Sequence, residues 1–336
     1  MKPAFADAGA AGGAGAAPAG WSGLLLVDKP AGVTSHDVVD DVRRRLRVRG
    51  AGHLGTLDPG ASGLLVVVTG AATRCAAVWQ GGEKTYEATV RFGVTTTTQD
   101  LQGEVIERRG SSLDEAQVRE ASRAFVGVLA QVPPMISALK VGGERLYELA
   151  RRGQVVERAP RRIEVRSWEW LSFDLPEASF RVRCSSGTYV RTLAHDLGER
   201  LGTGGALKSL RRLRSEPFGL ERAIPLCELG VVPAEEALAR AGVPLDAALA
   251  VLPSVTLDGS AAAELGFGRG ALVEPGGAPL RAGPRSVVLR DAAGRALALG
   301  ELEPDPAAPG PAPRAGARAL ACPHVVFPWA VRRGRP

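Results

Sequence analysis

Residues 84–92 (KTYEATVRF) alternate strictly, with Tyr86, Ala88, Val90 and Phe92 on one face and Thr85, Glu87, Thr89 and Arg91 on the other. Side chains on a strand point to opposite faces in turn, so this pattern predicts a half-buried strand. Gly23–Pro30 (GLLLVDKP) reads as a short strand ending in a turn, and Leu64–Thr69 as a buried strand. Over 35–48 the periodicity changes: Val38, Val39, Val42 and Leu46 form one apolar stripe of a helix, with Ser35 as its cap. Between these elements 50–63 is a Gly-rich loop, and a short helix is expected near 70–80. Ser112 with Glu115 reads as a capping box opening a helix to about Phe125. A helix near 143–152 stops at Gly153; strands follow over about 162–173 and 178–185, a helix over about 190–200, and a strand over about 206–214.

The texture shifts after about residue 228. Two Ala-rich helical stretches, near 233–241 and 245–250, lead to Pro253. Residues 254–302 read as short strands punctuated by glycines, including Ser286–Leu289 and Ala296–Leu299 around a turn at Ala293–Gly294, which predicts a small all-β module. Residues 304–318 hold five prolines and five alanines, the composition of a flexible loop. The expected organisation is a disordered tail over 1–20, a catalytic domain over 21–228, a helical connection over 229–253, and a C-terminal domain over 254–336.

Composition narrows the class. The 336 residues are 45% hydrophobic and 23% charged, as in an ordinary globular protein, and no apolar run approaches the roughly 20 residues of a membrane span. Fourteen of the first twenty residues are Ala or Gly, so that segment lacks the apolar centre of a signal peptide, and a cytoplasmic location is expected. The four cysteines form no CxxC pair, which argues against a zinc knuckle. The net charge of +6 fits a nucleic-acid partner. Only five of the 42 basic residues are lysines, yet Lys29, Lys84, Lys140 and Lys208 all fall within the segments that carry chemistry, as do all three tyrosines.

Three segments hold the candidate chemistry. In His53-Leu-Gly-Thr-Leu-Asp58-Pro-Gly-Ala-Ser-Gly63 a carboxylate sits on a loop with glycines at 52, 55, 60 and 63, which let backbone approach a ligand. Asp-Pro-Gly alone is also a common turn. In Val182-Arg-Cys-Ser-Ser-Gly-Thr-Tyr189-Val-Arg191 an extended chain would put Tyr189 and Arg191 on one face, where a guanidinium could keep a nearby carboxylate ionised. The third group is Lys84–Glu87 (KTYE) and Pro133–Lys140 (PPMISALK), followed by Tyr147 and Arg151–Arg152. The Tyr86 ring is either core packing or a platform on which a base stacks.

In order and spacing these motifs resemble the tRNA pseudouridine synthase B (TruB) family, from about Trp21 to Phe218: VDKPAGVTSHDVV, GHLGTLDPGASGLL, KTYEATVRFGVTTTTQDLQGEV, VPPMISALKVGGERLYELARRG, RCSSGTYVRTLAHDLGERLG and LKSLRRLRSEPF. The resemblance implies an α/β (α+β) fold, with a mixed, mainly antiparallel curved sheet, flanking helices and a β-rich C-terminal domain like the PUA (pseudouridine synthase and archaeosine transglycosylase) module. It implies isomerisation of uridine 55 in the T stem-loop of tRNA. Asp58 would be the nucleophile, with Arg191 paired to it. Tyr86 would stack on the uracil and lie near the sugar as a proton acceptor. Tyr189 would hydrogen-bond in the pocket, Leu210 pack against the base, His53 support the T-loop, and Lys29 belong to a basic rim. The family usually has Tyr where this chain has Ile136, which removes a hydroxyl there. The reaction exchanges a C–N for a C–C bond on one base, so no cofactor and no metal are expected. A monomer with no obligate protein partner and no membrane contact is expected. An RNA-guided synthase would share the catalytic motif, but such proteins usually carry a Lys-rich tail. A non-catalytic RNA-binding protein would have no need of Asp58, Tyr86 and Arg191 together.

Overall fold

The structure, a computed structural model, describes residues 21–331 apart from 111, 138, 155, 277, 279–285 and 306–317. The expected tail over 1–20 and most of the Pro- and Ala-rich stretch over 304–318 lie outside the described residues, as do the side chains of Lys140, Tyr147 and Arg151. Strands follow along the chain as β1 (Gly23–Lys29), β2 (Ala51–His53), β3 (Ser62–Thr69), β4 (Lys84–Phe92), β5 (Val94–Thr96) and β6 (Val105–Arg108). Then come β7 (Gly127–Gln131), β8 (Lys140–Val141), β9 (Glu144–Arg145), β10 (Arg161–Asp174), β11 (Glu177–Cys184) and β12 (Gly205–Ser215).

The main sheet runs Ile224–Pro225, β1, β3, β12, β4, β11, β10, β7. Neighbours are antiparallel except at two places, where Ile224–Pro225 lies parallel to β1 and β12 lies parallel to β3. The sheet is therefore mixed and mainly antiparallel, as expected. The parallel junction places Arg212 beside Gly63, and on its other side the same strand places Arg212 opposite Tyr86. Three distant segments of sequence thus meet at one position of the sheet.

Local chemistry explains the elements. β4 alternates buried and half-buried along its whole length, as its pattern predicts. Leu24 to Val27 on β1 and Leu64 to Val68 on β3 are all buried, and the helix Ser35–Leu46 lays Val38, Val39, Val42 and Leu46 against this core. Full burial of each such side chain stabilises by roughly 1.5–3 kcal/mol. The cap of that helix is Thr34 and not Ser35: the Thr34 hydroxyl accepts from the Asp37 N–H, and the Asp37 carboxylate accepts from the Thr34 N–H. Ser35 is instead turned inward to Leu57, its Oγ both donating to the carbonyl and accepting from the N–H at 2.9 Å. The helix after residue 112 begins two residues later than expected, at Glu115–Ser122, capped by Asp114 with Gln117. Two capping registers compete there, and the anionic Asp114 prevails at the positive end of the helix. The helix expected near 70–80 is a 3-10 turn over Gly70–Cys75 and one α-turn over Ala77–Gln80.

The connection over 229–253 supplies the helices Ala234–Ala241 and Leu245–Ala248, and also the strand Gly242–Pro244, which pairs antiparallel with β1. The C-terminal module is a five-stranded sheet in the order Ser254–Thr256, Val287–Arg290, Ala296–Pro304, Ala319–Val326, Ala271–Val273. It is not all-β: the helix Gly259–Gly266 packs on it, capped by Asp258. Val288, Ala296, Leu299 and Phe327 join the core of the larger domain, and Arg290 pairs with Asp246 at 3.1 Å.

Candidate active site

The loop between β2 and β3 is held residue by residue around Asp58. Leu57 is fastened to Ser35. The carbonyl of Pro59 accepts from the Gly32 N–H at 2.8 Å and from Lys29 Nζ at 3.3 Å. The carbonyls of Gly55 and Thr56 accept from the guanidinium of Arg212. The loop closes with the Ala61 N–H donating to the Asp58 carbonyl at 3.0 Å. At Gly63, with φ +99°, a Cβ would stand 2.3 Å from the Arg212 carbonyl, so only glycine lets the two strands lie this close.

Asp58 projects into a cleft that it lines with Gly60, Asp100, Gln102, Arg191 and Leu210. Arg191 approaches from the first turn of the helix Val190–Arg200, and Tyr189 is the N-cap of that helix. The shared strand face expected for Tyr189 and Arg191 is therefore absent. The chain turns helical at Val190, and the guanidinium reaches the cleft from a helix end. Arg191 Nε donates to Asp58 Oδ2 at 2.9 Å, with Nη2 3.4 Å from Oδ1. Its remaining donors serve the carbonyls of Thr98 at 2.9 Å and Ile136 at 3.0 Å. The pair is buried on one side only: the Arg191 side chain is 5% exposed and that of Asp58 is 41% exposed, facing the cleft. A nucleophile needs that opening, and the arginine needs none.

Withdrawal from water pushes the Asp58 carboxyl above the usual carboxylate range, and the negative charge of Asp100 adds to this; Arg191 and, more weakly, Lys29 oppose it. Asp100 was not among the residues expected from the sequence. Its Oδ1 accepts from Thr98 Oγ1 at 2.6 Å and from the Gln102 N–H at 3.0 Å, which leaves Oδ2 3.7 Å from Arg191 Nη1. Two carboxylates thus share one guanidinium. The only trace in the sequence is a Thr-rich run ending in Asp100.

The other expected residues are placed unevenly. Leu210 lines the cleft. Tyr86 is buried, opposite Arg212 across the strands, and its phenol is raised in pKa chiefly by burial. Tyr189 is half-buried, its phenol also raised by burial, and its backbone is clasped by Gln131: Nε2 donates to the carbonyl at 3.0 Å, and the Tyr189 N–H donates to Oε1 at 2.8 Å. His53 sits on β2, half-buried, with burial holding its imidazole below the usual histidine value; it does not line the cleft. Lys29 is not on a rim. It is fully buried, its ammonium donating to the carbonyls of Pro30, Val33 and Pro59, and burial brings its pKa down to about 8. At Ile136 the backbone carbonyl makes the contact to Arg191, so the exchange of side chain leaves that bond in place.

The site thus combines a carboxylate open to a cleft, a buried guanidinium that holds it, and two phenols in its field. The model of the TruB family pseudouridylate synthases (N terminal domain) matches residues 43–190, and that of the tRNA pseudouridylate synthase B C-terminal domain matches 191–250. The chain is 50% identical over 240 residues to a tRNA pseudouridine synthase B of Burkholderia pseudomallei (strain 668), covering 71% of this chain and 79% of that one. It is 50% identical over 247 residues to its namesake in Symbiobacterium thermophilum, covering 72% and 81%. Among solved structures it is similar to an archaeal box H/ACA sRNP Nop10–Cbf5 complex, with a TM-score of 0.66 and 25% identity over 93% of this chain and 89% of that one. The chain belongs to the TruB family of pseudouridylate synthases.

Proposed function

We propose that this enzyme isomerises uridine 55 in the T-loop of tRNA to pseudouridine, with Asp58 as the nucleophile acting on a flipped-out nucleotide. Pseudouridine formation in tRNA is the activity named for the relatives at 50% identity. The proposal adds to that name the position in tRNA and the role of Asp58. The observation that carries it is the Asp58–Arg191 contact of 2.9 Å, in which the carboxylate faces the cleft and the guanidinium does not. In the reaction the C1′–N1 bond breaks, the uracil turns, C1′ bonds to C5, the C5 proton leaves and N1 gains one. Attack at the sugar, addition to the base, and elimination through a glycal all draw on the same carboxylate and a nearby proton acceptor, the part we assign to Tyr86. Extracting a stacked base costs a few kcal/mol, offset by phosphate contacts from basic residues. tRNA places the enzyme in the cytoplasm. Tritium release from a tRNA transcript labelled at C5 of uridine is the test: a transcript with U55 releases it and one with cytidine at 55 releases none. Release from the second transcript would move the site elsewhere.

We also propose that residues 254–336 add tRNA affinity and take no part in the chemistry, since Asp58, Tyr86 and Arg191 all precede them. Removing 254–336 takes Val288, Ala296, Leu299 and Phe327 out of the core they share with the larger domain, so the fragment is expected to be less stable, to bind tRNA more weakly, and still to turn over at saturating enzyme. A fragment that is folded by circular dichroism and inactive at saturation would place the module in the active site.

A further inference from the structure

Gln131 is 4% exposed, at the end of β7, where Gly127, Leu129 and Gln131 share the face turned from solvent and Val128 and Ala130 are exposed. A buried glutamine brings donors and an acceptor that must find partners, and an apolar side chain would fill the same space without that cost. Both ends of this amide go to the main chain of one residue. The Tyr189 N–H donates to Oε1 at 2.8 Å, and Nε2 donates to the Tyr189 carbonyl at 3.0 Å. Tyr189 is where the chain passes from sheet to helix: β11 ends at Cys184, and Tyr189 is an N-cap whose side chain makes no capping bond. Its carbonyl already accepts the first helical bond, from the Leu193 N–H at 3.1 Å, so the donor from Gln131 is additional to the helix's own bonding. A helix start is ordinarily met by a Ser, Thr, Asp or Asn at the cap itself. Here the clamp comes from a different strand, 58 residues away in sequence. Arg191 follows in the first turn of that helix, and the segment after Gln131 carries Ile136, whose carbonyl accepts from Arg191 Nη2 at 3.0 Å. One segment thus holds this arginine twice, by the main chain that leads to it and by its guanidinium.

We infer that Gln131 is a positioning residue for the reaction, its amide fixing the main chain at Tyr189 and so setting where the Arg191 guanidinium meets Asp58. This rests on the reading of Asp58 as the nucleophile. A misplacement of about 1 Å at a reacting group costs on the order of 100-fold in rate, and Arg191 Nε meets Asp58 at 2.9 Å, which leaves little slack. The groups that act on Asp58 are Arg191, Asp100 and Lys29, with the phenols of Tyr86 and Tyr189. Lys208 also lines the cleft, and its ammonium is paired with Glu177 at 2.5 Å. Of these, Arg191 and Tyr189 are the two that the clamp carries, and the Tyr189 phenol stays neutral at acid pH. Arg191 opposes the upward push of burial on the Asp58 carboxyl, so loosening it should raise that pKa further and move the acid limb of the rate to higher pH.

The test is Gln131→Met, close to glutamine in length and volume but without either bond, made in the parent enzyme and in Arg191→Lys. Single-turnover rate is followed against pH, with tRNA affinity and a thermal melt alongside. Gln131→Met should slow turnover about 10- to 100-fold, change affinity less than about threefold, and shift the acid limb upward. In the Arg191→Lys background the same substitution should cost several-fold less, because the two-pronged contact it aligns is already gone. If Gln131→Met does not fold, Gln131→Asn, which keeps the amide but draws it back by one methylene, takes its place with the same shift and the same non-additivity expected. An acid limb that does not move, equal losses in both backgrounds, or a loss confined to affinity or to the melt would overturn the inference. Turnover by Asp58→Asn would instead overturn the reading beneath it and leave the coupling between Gln131 and Arg191 standing.

Discussion

Asp58→Asn is expected to fold as the parent enzyme does and to lose turnover by about 10,000-fold or more, the scale on which nucleophile deletions act. Folding survives because the loop does not depend on the carboxylate. The Asp58 carbonyl keeps its bond from Ala61, and Ser35, Lys29 and Arg212 still hold the residues on either side. Arg191 is not orphaned, since it retains the carbonyls of Thr98 and Ile136 and the nearby Asp100. What is lost is an oxygen that carries charge. The same reasoning gives a sign to the pH dependence. The active form is deprotonated and the Asp58 pKa is raised, chiefly by burial, so the rate should fall on the acid side at a pH above the ordinary carboxylate range. A profile flat down to the ordinary range, or turnover by Asp58→Asn, would contradict this.

Arg191→Met is the second large effect. It leaves Asp58 and Asp100 facing one another without the cation they share, and it strips the donors from the Thr98 and Ile136 carbonyls. Breaking a buried pair costs about 3–5 kcal/mol; with Asp58 open on one side the lower half applies, roughly a 100- to 1,000-fold loss of rate. Arg191→Lys keeps the charge, but one ammonium cannot reach Asp58, Thr98 and Ile136 together, so it should fall between the two. Single-turnover rates with thermal melts separate chemistry from folding. Equal rates for the Met and Lys variants would show that the charge on Arg191 does nothing for Asp58.

Periodicity made much of the fold legible. The strict alternation of β4 became alternating burial, and the apolar stripe of Ser35–Leu46 became its buried face. Helix starts were less legible because two capping registers two residues apart score alike until packing chooses. The helix Gly259–Gly266 was hidden by Gly and Ala, which carry little periodic signal. At the site, Asp58, Arg191 and Leu210 were found through their motifs. Asp100 and Arg212 were not, because their roles arise from pairings across the chain: Asp100 bridges to Leu207, and Arg212 lies between Gly63 and Tyr86. Lys29 was misplaced for a related reason. A lysine beside a proline turn looks exposed, and only the fold shows three carbonyls converging on its ammonium.

Chemical mapping of pseudouridine in total tRNA from cells lacking this chain tests the assignment of Asp58 and of position 55 most directly. The modification should be missing at position 55 and unchanged elsewhere, returning with the native chain but not with Asp58→Asn. Pseudouridine at position 55 in the deleted cells, or its return with Asp58→Asn, would contradict both assignments.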